Sequence, residues 1–328
     1  MSSVQLVRGS GDSITIESAA INQLKSSLRG ALLLPGDDGY DKARTVWNAM
    51  IDRRPGLVVR CAGVADVQQA VNFARQHGAL TAVKGGGHNI AGNAVCDGGL
   101  LIDLSNLRAV RVDPKTRVAH VEPGATLADF DHECQAFGLA TPVGINSTTG
   151  IAGLTLGAGF GWLSRKFGMT IDNLLAADVI TADGQLRRAD GKENADLFWA
   201  IRGGSGNFGI VTRFEFKLHP VGPDVLAGLV VYPLAEAASV LKQYRARCAK
   251  LSRDTSIWTV LRKAPPLPFL PPAVHGTEVV VLAICHFGDP ERGRRAIARG
   301  PPKLVTAYLE SSIVVLRSRV IRQMTGLG

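Results

Sequence analysis

The segment RGGSGNFG, residues 202–209, sets Gly204, Gly206 and Gly209 in a G-x-G-x-x-G spacing, and its surroundings restrict the fold more than any other feature. A Rossmann unit needs a strand before these glycines and a helix after them, because the pyrophosphate sits on the helix N-terminus. Here the helical ENADLFWAIRG comes first, and IVTRFEFKLHP, which alternates like an edge-facing strand, follows. The order is reversed, which excludes the doubly wound dinucleotide fold. No GK[ST] supports a P-loop either.

Two more glycine-rich loops lie upstream, KGGGHN (84–89) and TTGIAGLTLGAGFG (148–161). Glycine admits positive φ and removes the side chain that would hold backbone N–H groups away from a ligand. Three such loops point to a large phosphate-bearing or planar cofactor touched by backbone at several places. His88 stands inside the first glycine nest, after the strand LTAV and before more loop. Two readings of it stay open: a histidine that only hydrogen-bonds its loop, or a neutral imidazole nucleophile that attaches the cofactor.

Around these loops the pattern alternates between strand and helix. LVVRCA reads as a buried strand, and GVADVQQAVNFARQHG as a helix with Val64, Val67, Val71 and Ala74 on one face and Gly78 as its stop. GLLIDL is another strand, and VRVDPKTRVAHVEPG a hairpin about a D-P-K-T turn. TLADFDHECQAFG reads as a helix capped by Thr126, with Leu127, Phe130, Cys134 and Phe137 at helical spacing, and LLAADVITADGQ as a strand. Past Pro220 come DVLAGLVVYP, the helix LAEAASVLKQYRARCAKL, and the strands TSIWTVL and EVVVLAICHF.

A chain of 328 residues exceeds one ordinary core, so two domains are expected. The expected division is a segment at 1–48, a domain at 49–220 and a partial domain at 221–328. No apolar run reaches the length of a bilayer span, and the N-terminus lacks the features of a secretory signal. Five scattered cysteines without a CxxC pair argue against a disulfide framework or zinc knuckle, so a cytoplasmic location is expected and no metal site. The net charge of +9 is concentrated late: residues 291–328 hold 8 basic and 2 acidic side chains. That tail has no aromatic interleaving beyond Tyr308 and matches no nucleic-acid motif, so neither nucleic acid nor membrane is an expected partner.

RRPGLVVRCAGVADVQQAV, VKGGGHNIAG, GLLIDLSNLRAVRVDP, VEPGA, TTGIAGLTLGAGFGWLSRKFGMTIDNLLAADVITADG and DLFWAIRGGSGNFGIVT together resemble the PCMH-type FAD-binding domain of the vanillyl-alcohol oxidase superfamily. Within it they are similar to berberine-bridge-enzyme-like oxidoreductases, of the bacterial 6-hydroxy-D-nicotine oxidase type. The resemblance runs over about residues 45–220. It implies an α+β fold: an FAD-binding domain of two α/β subdomains, then an incomplete antiparallel-sheet-plus-helix substrate domain.

It also implies site residues. His88 matches the histidine bonded to the flavin 8α-methyl, an 8α-N-histidyl link. Lys84, Gly85, Gly86, Gly87 and Asn89 match the loop holding the pyrophosphate. Thr149, Gly150, Gly153, Gly157 and Gly159 match the loop under the isoalloxazine ring and ribityl chain. Asn207, Gly209, Ile210 and Val211 match the segment at the adenosine half. Two positions depart from much of the family: Asn146 stands where many members have a second attaching cysteine, and Leu154 where plant-type members have a histidine. Family members usually run well beyond this length, so a C-terminally shortened chain is expected.

The implied function is an FAD-dependent oxidase that moves hydride from a C–H next to an alcohol or amine to covalent flavin, with a small-molecule substrate and O2. A flavin-binding chain without turnover and an NAD(P)H-dependent flavin reductase remain alternatives. No catalytic residue is assigned; Tyr232, Tyr244 and His286 are candidates by chemistry alone.

Overall fold

The computed structural model describes residues 3–222, 224–266, 270–298 and 314–317. The chain divides into two units: Met1–Phe160 with Met169–His219, and Gly161–Gly168 with Pro220–Gly328.

The first unit opens with the hairpin β1 (Val4–Val7) and β2 (Ser13–Ile16), then α1 (Ser18–Ser27), β3 (Ala31–Leu33) and the short α2 (Tyr40–Arg44). β4 (Leu57–Arg60), α3 (Val64–His77), β5 (Thr81–Lys84) and β6 (Leu100–Asp103) complete a four-stranded sheet ordered β3-β4-β6-β5. β4, β6 and β5 run parallel, and β3 joins antiparallel. Parallel strands covered on both faces read as unbroken apolar runs, which is why Leu57, Val58, Val59, Leu100, Leu101 and Ile102 are all fully buried.

α3 ends at Gly78, whose φ of +62° suits glycine and whose N–H reaches back to the last turn. Its inward face is Val67, Ala70 and Phe73; Val64, expected there, is 37% exposed. In that first turn the inward place belongs to Asp66, whose carboxylate accepts the backbone N–H groups of Arg29, Gly30 and Ala62.

The same unit continues with β7 (Val110–Asp113), β8 (Val118–Val121), α4 (Leu127–Gln135), β9 (Leu139–Ala140) and α5 (Ile151–Leu156). After the short α6 (Ser164–Phe167), which belongs to the second unit, come β10 (Leu174–Ile180), β11 (Leu186–Asp190), α7 (Ala195–Ile201), β12 (Ile210–Lys217) and β13 (His219–Pro220). A five-stranded antiparallel sheet, β11-β10-β12-β8-β7, packs against α4 and α5 through Phe130, Leu127, Ile151, Phe214 and Phe216.

β12 is thus the central strand and not an edge. Its alternation arises because one face of the sheet meets solvent, where Arg213 pairs with Asp178 and Glu215 with Arg188. α4 starts in a capping box between Thr126 and Asp129 and stops at Gln135. Phe137 therefore falls beyond the helix and is 49% exposed, off the face its spacing predicted.

In the second unit, β14 (Asp224–Pro233), α8 (Ala237–Cys248), β15 (Thr255–Lys263), β16 (Glu278–His286), α9 (Pro290–Ala298) and β17 (Val314–Arg317) form an unclosed antiparallel sheet, β15-β16-β14-β17, with helices. Val240 of α8 packs on Val230, Tyr232, Ile257, Val280 and Ile284. The mixed architecture, with an unclosed substrate-domain sheet, is the one the resemblance implies. Most of the basic tail lies outside the described residues.

Candidate functional site

β5 delivers the chain to the edge of its sheet and the first glycine loop begins there. Among the described residues, the backbone N–H groups of residues 85–88 donate to nothing, so four consecutive amides remain for a ligand. Unpaired amides in a glycine-rich turn make an anion-binding concavity. Side chains are kept out by close backbone packing. A Cβ on Gly86 would lie 2.4 Å from the nitrogen of Gly150, and one on Gly85 2.9 Å from the carbonyl of Pro123.

The loop is pinned further by the backbone N–H of Trp47, which donates to the Gly87 carbonyl at 3.0 Å. Lys84 does not extend into this concavity. Its ammonium is buried, donates to the Ala43 carbonyl and pairs with Asp103 at 3.7 Å. Burial lowers its pKa, and Asp103 opposes that shift. Asn89 is exposed, and its side-chain oxygen accepts the Asn93 N–H at 3.0 Å.

The second glycine segment is not all loop. Gly150 leads into α5, and Gly157 ends it. Ile151 and Leu156 anchor α5 in the core, while Gly153 is open: nothing among the described residues stands within 4 Å of where its Cβ would be. Gly159, at φ +68°, turns the chain, and its carbonyl accepts the Thr170 N–H at 2.9 Å. The start of this segment is sewn to the cap of α4, where Thr149 accepts the Leu127 N–H and Ala125 the Ile151 N–H, both at 2.9 Å.

The third segment joins the far end of the second, through the Gly203 N–H to the Leu156 carbonyl at 3.1 Å. Residues 205–208 form a 3-10 turn in which the Asn207 side chain donates to the Gly204 carbonyl at 2.8 Å. Gly209, at φ +146°, passes within 2.6 Å of the Ile180 carbonyl, measured from a Cβ in its place. Ile210 and Val211 are then buried in β12. The second segment is therefore the bridge: it touches the first at Gly86 and the third at Leu156.

His88 is half-buried beside this bridge. Its Nε2 lies 2.8 Å from the Thr148 hydroxyl oxygen, and its ring stacks on Trp47 with centroids 5.1 Å apart and planes 22° apart. Burial lowers its pKa, so the ring is neutral at neutral pH. The Thr148 hydroxyl and its backbone N–H both donate to Oδ1 of Asn146, at 2.8 and 3.0 Å. Trp47 and Thr148 were not among the residues singled out from sequence. Trp47 lies 41 positions before His88 with no pattern linking them, and only the contact shows its place.

The profile of the FAD binding domain family matches residues 55–190, and these include the first two glycine segments. A structure of 6-hydroxy-D-nicotine oxidase from Arthrobacter nicotinovorans superposes with a TM-score of 0.81 at 29% identity, over 92% of this chain and 65% of that one. The chain carries a PCMH-type FAD-binding domain. Among relatives of this PCMH-type chain, an FAD-linked oxidoreductase of Dictyostelium discoideum is 39% identical over 68% of this chain and 50% of its own length. The (R)-6-hydroxynicotine oxidase of Paenarthrobacter nicotinovorans is 35% identical over 66% and 47%. A xylooligosaccharide oxidase from Myceliophthora thermophila superposes with a TM-score of 0.78 at 27% identity, over 95% of this chain and 64% of that one. The chain spans about half the length of the first two of these relatives.

The residues present fit FAD. A row of free amides suits its pyrophosphate, the open flank at Gly153 leaves room for a planar group, and neutral His88 stands next to the amides. Among the described residues no metal-ligating cluster occurs, and no helix is long and apolar enough to cross a membrane.

The three side chains named as chemical candidates all lie in the second unit. Tyr244 donates to the Ile257 carbonyl at 3.0 Å, and Tyr232 is buried in the core under α8. His286 is buried with its Nδ1 2.8 Å from the Thr255 hydroxyl. Each has a structural occupation.

Proposed function

We propose that this chain belongs to an FAD-dependent oxidase in which flavin, tethered through an 8α-N-histidyl bond to His88, takes hydride from a C–H next to an alcohol or amine and passes the electrons to O2. The amides of residues 85–88 hold the pyrophosphate. Gly150, Gly153, Gly157 and Gly159 keep side chains away from the isoalloxazine ring and ribityl chain, with Thr149 at their head. Asn207, Gly209, Ile210 and Val211 border the adenosine half. Lys84 supports the loop from within, through Asp103. The substrate is a small molecule of the CH–OH or CH–NH class, which the names of the hydroxynicotine and xylooligosaccharide oxidases span. The domain division that goes with this function is an FAD-binding domain at 49–220 after an N-terminal segment, and a partial substrate domain from 221.

One observation carries the proposal: a neutral, half-buried imidazole stands directly after three glycines whose amides have no protein partner among the described residues. A neutral imidazole is a competent nucleophile, and its loop is an anion site. The test is acid precipitation of the purified protein. Flavin absorbance that stays with the polypeptide, together with peroxide formed on incubation with amines or sugars, is the expected result. Flavin released to the supernatant would reject the tether. Bleaching by NADPH without peroxide would reject the oxidase in favour of a reductase.

A further inference from the structure

We infer that Thr148 and Asn146 are positioning residues that hold His88 as its Nε2–H tautomer and so present the bare Nδ1 lone pair for attachment of the cofactor. This rests on the proposed tether at His88 and adds which nitrogen reacts and what selects it.

The positions of the protons fix the tautomer. A backbone N–H can only donate, so the Asn146 atom 3.0 Å from the Thr148 N–H must be the amide oxygen. The amide orientation is thereby settled. That same oxygen lies 2.8 Å from the Thr148 Oγ1 and carries no proton, so the one hydroxyl proton of Thr148 is committed to it. Oγ1 then faces His88 as an acceptor only, and Nε2 at 2.8 Å must bring the proton. A neutral imidazole has one ring proton, so Nδ1 is left bare. Among the described residues Nδ1 has no hydrogen-bond partner. Burial keeps the ring from taking a second proton at neutral pH. Trp47, stacked at 22°, holds the ring plane.

In the attachment, Nδ1 of His88 forms the bond to the 8α carbon while one C–H proton of that methyl group and the Nε2 proton of His88 leave. The electron pair and both protons go to O2, giving H2O2. Thr148, as the acceptor at Nε2, helps that second proton depart. With apolar contact in place of the hydroxyl, the two neutral tautomers would compete and the productive one would lose its advantage.

The experiment compares wild type, Thr148→Val, Thr148→Ser and Asn146→Ala as purified holoproteins. Intact mass after acid denaturation reads the fraction of polypeptide carrying flavin. 15N NMR of histidine-labelled protein from a riboflavin-limited host reads the His88 tautomer, assigned by its loss in His88→Gln. Wild type should show a protonated Nε2 and a bare Nδ1. Thr148→Val and Asn146→Ala should slow flavin incorporation on the order of tenfold, as loss of an orienting partner does elsewhere, and populate the Nδ1–H form. Thr148→Ser should restore both.

A wild-type His88 protonated on Nδ1 overturns the inference even if every variant misfolds. Incorporation by Thr148→Val at the wild-type rate overturns it as well. Wild-type protein with the Nε2–H tautomer but only released flavin would instead remove the tether, so the two failures are told apart.

Discussion

Gly86 and Gly150 cross so closely that a methyl group on either would come within 2.4 to 2.5 Å of the other's backbone nitrogen. Here the amide loop after β5 meets the lead-in to α5, and neither position tolerates a side chain. Gly86→Ala or Gly150→Ala should each cost about 1–3 kcal/mol, the usual penalty for overpacking. The crossing must open in either case, so the double variant should lose less than the sum of the two. Urea denaturation of the four proteins measures this, and flavin content should fall alongside stability.

Lys84 looks like a phosphate-binding lysine in the sequence, yet its ammonium is buried against Asp103 and the Ala43 carbonyl. Lys84→Met should therefore act first on stability. Removing one partner of a buried pair leaves the other uncompensated, at about 3 kcal/mol. Arg60, 3.4 Å from Asp103, softens the loss. A shifted urea midpoint is expected; an unchanged midpoint with lost flavin would mean that the ammonium serves the cofactor directly.

The capping box at α4 lies beside the same crossing, since Thr126 bridges to Gly150. Thr126→Ala leaves the N–H of Asp129 without its acceptor and should cost about 1 kcal/mol. Thr126→Ser should recover most of it, as thermal denaturation would show.

Burial lowers the pKa of His77, His88 and His286 below the free value. Above about pH 6.5 these rings are neutral in both folded and unfolded chains and add no pH dependence. As the pH falls through that value the unfolded chain takes protons that the folded one refuses, so stability drops with acid. In flavin-free protein the melting temperature should fall by a few degrees between pH 7 and pH 5, and His88→Gln should flatten part of that slope. A melting temperature that rose over this interval would contradict the burial of these rings.

What was legible in the sequence followed from periodicity and punctuation. The apolar runs that open β4 and β6, the Gly78 stop of α3, the D-P-K-T hairpin and the Thr126 cap each have a local cause, and each is present in the fold. What was not legible depends on distant partners. β3, only three residues long, is a strand through its antiparallel pairing with β4 and not through any period of its own. α5 hides in a glycine-rich stretch because Gly153 lowers its helix propensity, and only burial of Ile151 and Leu156 secures it. β12 imitates an edge strand because its polar face carries ion pairs. At the site, the glycines and His88 were visible as composition, whereas the hydroxyl of Thr148 and the indole of Trp47 gain meaning only from their contacts with that ring.

The central claim is that His88 carries the flavin, and proteolysis of acid-denatured holoprotein followed by tandem mass spectrometry tests it most directly. The peptide containing residues 84–89 should bear the cofactor mass, with the fragment ions placing it on His88, and His88→Ala should yield the same peptide unmodified while retaining releasable FAD. An unmodified wild-type peptide from visibly yellow protein, or a cofactor mass on any other residue, would contradict it.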